Sequence, residues 1–78
     1  MTRYGWEIVV PYSFGHSFGC AVAPGESVLA TIEALRRDDP VWRQKPRIRP
    51  LREPASSYDK DCRPGGMRIR YYTSHGHY

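Results

Sequence analysis

The sequence has little that would tie it to a membrane or to a cysteine- or metal-built scaffold. Its uninterrupted apolar stretches, Ile8-Val9-Val10-Pro11 and the run 18–23 among them, are far short of the roughly 20 residues a spanning helix needs. The first thirty residues lack the charged start, long apolar run and small-residue cleavage site of a signal peptide. A cytoplasmic protein without a membrane anchor is therefore expected. Only two cysteines are present, Cys20 and Cys62, far apart and without a paired C-x-x-C spacing, which fits neither a disulfide framework nor a zinc module. Two free thiols are expected, at least one of them buried. His16, His75 and His77 add candidate metal ligands, yet no four-ligand spacing joins them to the cysteines. The reading therefore names no metal and no cofactor. There is no internal repeat and no low-complexity tract.

What is there is short and unevenly charged. Seventy-eight residues suffice for a single domain spanning 1–78, and a chain of this size buries only about 60% of the surface its unfolded form exposes. The net charge is +4. Residues 1–35 hold one base against three acids, whereas residues 36–78 hold eleven bases against five acids. A one-sided basic field raises encounter rates with anionic partners.

The element pattern predicts an α+β fold. Trp6, Ile8 and Val10 share one face of a period-2 strand at about 4–12. A loose loop around Gly15 leads into the apolar run 18–23, which together make a β-hairpin. After Pro24-Gly25, the spacing of Val28, Leu29, Ile32 and Leu35 predicts a central amphipathic helix over 26–38, with Asp39-Pro40 ending it. Four prolines between 40 and 54 restrict any strand at 47–51 to a sheet edge or an extended segment. Residues 55–66 read as a loop. Residues 67–73 alternate as a strand with Met67, Ile69 and Tyr71 on one face and Arg68, Arg70 and Tyr72 on the other. The expected architecture is an N-terminal hairpin, one helix packed on it, and a C-terminal pair of arginine-bearing strands.

Two groups of residues could carry function. The first is Arg43, Lys45, Arg47, Arg49 and Arg52, five bases in ten residues without an acid. If strands 47–51 and 67–73 pair, Arg47, Arg49, Arg68 and Arg70 would share a surface with Tyr72. Guanidinium groups bind phosphate through paired donors, and an aromatic ring can stack a base, so this set suits single-stranded RNA or DNA. A solvated basic face that only keeps the protein soluble is the plain alternative. The second group is the C-terminal His75-Gly76-His77-Tyr78. A histidine and a tyrosine beside arginines could supply acid/base groups and charge stabilisation for phosphodiester cleavage without a metal. A frayed terminus without function is the alternative there. The aromatics Tyr4, Trp6, Tyr12, Phe14 and Phe18 are expected to pack in the core and across strands, with any exposed remainder forming a partner surface.

The helix 28–35 followed by Asp39-Pro40, the segment Arg49-Pro50-Leu51-Arg52-Glu53-Pro54 and the strand Gly66-Met67-Arg68-Ile69-Arg70-Tyr71-Tyr72 together resemble the RelE/ParE superfamily of bacterial toxins. The likeness covers roughly residues 28–78. It implies a ribosome-dependent, metal-independent endoribonuclease or a gyrase poison, with an antitoxin as protein partner. Arg68 would stand where the RNA-cleaving members carry an active-site arginine, and His77-Tyr78 is similar to the terminal pair of one branch; the two matches use different alignments. On this expectation Arg68, Arg70, His77 and Tyr78 are candidates for catalysis, and Arg43, Lys45, Arg47, Arg49, Arg52 and Tyr72 for binding RNA at the ribosome. The rival readings are a non-enzymatic phage- or plasmid-type inhibitor docking on a host protein and a passive nucleic-acid-binding accessory domain.

Overall fold

The hairpin predicted from the Trp6–Val10 alternation forms the centre of the molecule. In the computed structural model, which describes residues 3–12, 14–58 and 68–72, β1 (Trp6–Pro11) pairs antiparallel with β2 (Ser17–Val22). The helix α1 (Val28–Asp38) follows, then a 3-10 turn at Pro40–Arg43 and the strand β3 (Arg47–Pro50). A second 3-10 turn, Ala55–Ser57, precedes β4 (Ile69–Tyr72). The four antiparallel strands lie in the order β3-β1-β2-β4. No helix among the described residues is long and apolar enough to cross a membrane.

The arginine-bearing strands do not pair with each other, contrary to expectation. β3 adds to the outer edge of β1, with Glu7 opposite Arg49 and Val9 opposite Arg47. β4 adds to the far edge of β2, with Gly19 opposite Arg70 and Ser17 opposite Tyr72. A direct β3–β4 ladder would set like charges side by side, which destabilises a sheet. Occupying the two free edges of the hairpin keeps them apart. The strands are also shorter than the expected 4–12 and 47–51, and of the expected strand 67–73, Met67 and Thr73 lie outside the described residues.

One face of the sheet carries the apolar core. Ile8 and Val10 of β1, Cys20 and Val22 of β2 and Ile69 of β4 pack with Leu35 of α1 and with Trp42 from the 3-10 turn. Ser27 caps α1 by accepting from the Ala30 amide at 3.1 Å, so the helix begins two residues later than the spacing suggests. Glu26 lies outside it and accepts from the Ala23 amide at 2.7 Å. Val28, Ile32 and Leu35 face the sheet, while Leu29, about 100° round the helix from Val28, is 71% exposed. The Asp39 amide donates the last helical hydrogen bond, to the Leu35 carbonyl, and the Asp39 side chain then caps the next turn by accepting from the Val41 amide, which swings Trp42 under the sheet. Arg36 fastens the junction by donating to the Trp42 carbonyl at 3.4 Å.

Candidate nucleic-acid interface

The opposite face of the sheet is polar at its centre. Glu7, the sole acid of β1, points away from α1 and is only 3% exposed. Its carboxylate accepts from Arg49 Nε at 2.5 Å and from the hydroxyls of both Tyr58 and Tyr72. The two phenol oxygens are themselves 2.9 Å apart, and the Arg49 guanidinium lies 5.3 Å from the Tyr72 ring centre. Three strands and the chain around Ala55–Ser57 therefore converge on one carboxylate.

Gly19 makes this convergence possible. A Cβ there would come within 2.5 Å of the Glu7 carboxylate and 2.7 Å of the Tyr72 ring, distances that force a neighbour to move. The bare backbone of β2 lets Tyr72 lie across it from the far edge of the sheet. Burial first, and then the bond to Glu7, raises the Tyr58 phenol far above the ordinary tyrosine value of 10.0. The same two causes, in the same order, raise Tyr72.

Arg70 adds a second brace. It pairs with Glu53, donates to the Ser57 carbonyl at 2.7 Å and lies 4.2 Å from the Tyr58 ring centre. Together these bonds hold residues 53–58 against the sheet, over a small apolar cluster of Ala21, Leu51, Ala55 and Tyr58. Arg68 pairs with Glu26 at 2.9 Å.

The residues proposed from sequence thus divide. Arg49 and Tyr72 are brought together, although from opposite edges of the sheet. Arg68 and Arg70 each meet a carboxylate, and they do not share a ladder with Arg47 and Arg49. Arg43, Lys45 and Arg52 are exposed on the chain that enters and leaves β3, and none of them forms an ion pair with another described residue. Arg47 lies between them on the same edge strand. His75, His77, Tyr78 and Cys62 lie outside the described residues. Cys20 is buried, and burial raises its thiol from 9.0 to about 12, so it stays protonated at neutral pH. No cluster of three or more histidine, cysteine or acidic side chains able to hold a metal occurs among the described residues.

Glu7 and Tyr58 were missed by sequence reasoning. The period of β1 gives no signal for Glu7, which alternates with Trp6 and Ile8 and so reads as facing away from the core; its burial comes from Arg49, Tyr58 and Tyr72, whose donors match the carboxylate. Nothing local marks Tyr58, which belongs to a stretch read as loop. No protein-family model, curated protein or solved structure matches the chain.

Proposed function

We propose that this protein binds single-stranded nucleic acid, RNA in the first instance, along the basic edge formed by residues 43–52. The observation that carries the reading is that Arg43, Lys45 and Arg52 stand exposed and without ion pairs among the described residues on a ten-residue stretch that contains no acid. Uncompensated cations attract phosphate and release its counterions on binding. The stretch is also held in place: Arg49 is tied to Glu7 within it, and Gln44 donates to the Pro11 carbonyl at 2.8 Å. An ordered edge presents its charges at fixed spacing and loses less entropy on binding than a loose tail.

The reading needs no catalytic step; Arg68 and Arg70 pair with Glu26 and Glu53 and are not asked to bind the strand. Binding of a labelled oligouridylate, followed by fluorescence anisotropy at several salt concentrations, tests it. With three phosphate contacts the logarithm of affinity should fall against the logarithm of salt with a slope of about −2, at roughly −0.7 per contact. The double variant Arg43→Glu, Lys45→Glu should weaken binding and flatten that slope. An affinity that ignores both salt and charge reversal would rule the reading out.

A further inference from the structure

We infer that the loop end of the hairpin is a base-stacking platform, on which Tyr12, Phe14 and Tyr71 receive the bases of a single strand while Arg43 and Lys45 hold the flanking phosphates. The inference deepens the nucleic-acid reading above and rests on it.

Phe14 is 95% exposed, and its backbone stands in the left-handed region at φ 50°. A non-glycine residue there is strained, and this one recovers nothing by burial, so its position works against folding. Tyr12 and Tyr71 are 54% and 47% exposed. Behind them the rings are layered: Phe18 lies 4.9 Å from Tyr12 and 5.3 Å from Tyr71, and rests in turn on buried Trp42 at 6.2 Å. His16 stacks on Tyr71 at 5.1 Å with the planes 25° apart. Tyr12 and Tyr71 are thus backed by the core, and Phe14 projects from the loop between β1 and β2.

The basic stretch is tied to the strand that leads into Tyr12. Gln44, which sits between Arg43 and Lys45, bonds to the carbonyl of Pro11, the residue before Tyr12. The occupant follows from this pairing. The exposed aliphatic residues Leu29 and Ile48 belong to α1 and β3, so the large exposed apolar side chains of the platform are aromatic among the described residues. Flat rings near cations that have no ion pair among the described residues match a polymer of flat bases and phosphates, and strong salt dependence with tolerance of base sequence should follow.

The test compares a labelled oligouridylate with an abasic oligonucleotide of the same length and charge. Wild type should bind the base-bearing strand more tightly. Phe14→Ala, at a site too exposed to unfold the chain, should weaken that binding by roughly 5- to 150-fold per lost stacking contact and leave abasic binding unchanged. Tyr71→Leu, which keeps an apolar side chain against Phe18, should act in the same direction. Equal affinity for both strands, lost only on Arg43→Glu, Lys45→Glu, overturns the platform and leaves the phosphate-binding edge standing. Absence of binding to either strand at low salt overturns both.

Discussion

The two faces of the sheet are built on opposite principles. The face under α1 is apolar and close-packed, with Leu35, Trp42, Ile8 and Val10 removed from water, and its cohesion is non-directional. The other face is organised by a single carboxylate, whose partners must stand at fixed distances. The first fixes how the helix lies on the hairpin. The second ties the two edges of the sheet to its centre: Arg49 comes from β3 and Tyr72 from β4, with Glu7 between them. A small chain can thereby order edge strands too short and too charged to be held by burial alone.

That contrast can be broken from either side. The largest effect is expected at Trp42→Ala, which opens a cavity in the apolar core and should cost about 3–5 kcal/mol in urea unfolding. Glu7→Ala should cost about 2–3 kcal/mol, because it strands two phenols and a guanidinium; the value falls below that of a fully buried pair because a third of the Arg49 side chain stays in water. A double-mutant cycle with Tyr72→Phe should show non-additivity of at least about 0.5 kcal/mol, whereas Trp42→Ala and Tyr72→Phe should add.

Alkali should act on the polar face in particular. Both phenols titrate higher when folded than when unfolded, so their contribution is complete below about pH 10 and is lost progressively above it. Tyr72→Phe should make the decline from pH 10 upward shallower. The smallest effect has the opposite sign: Phe14→Gly relieves the left-handed backbone and should stabilise the chain by about 1 kcal/mol while weakening nucleic-acid binding.

How much of this was readable from the sequence follows the same division. The apolar face follows from period: Ile8 and Val10 in β1, and Val28, Ile32 and Leu35 in α1, repeat at spacings that local geometry imposes. Trp42 does not, because it sits in a proline-flanked turn without periodicity. The polar face depends on register. Glu7 meets Arg49 only because β3 docks on β1, and it meets Tyr72 only because Gly19 leaves a gap in the strand between them. Those pairings join residues 42 and 65 positions apart, and no local pattern encodes them. Among the candidate binding residues, the basic run was plain from composition, while the exposure of Phe14 came from the hairpin's loop and that of Tyr71 from the place of β4 at the sheet edge.

The most direct test of the account is an amide chemical-shift titration of the protein with a short single-stranded RNA at low salt. Shifts confined to Tyr12, Phe14, Tyr71, Arg43, Lys45 and Arg52, with Glu7, Ala21 and Tyr58 unmoved, are the predicted result. Shifts centred on Glu7, Tyr58 and Arg70, or none at all, would contradict it.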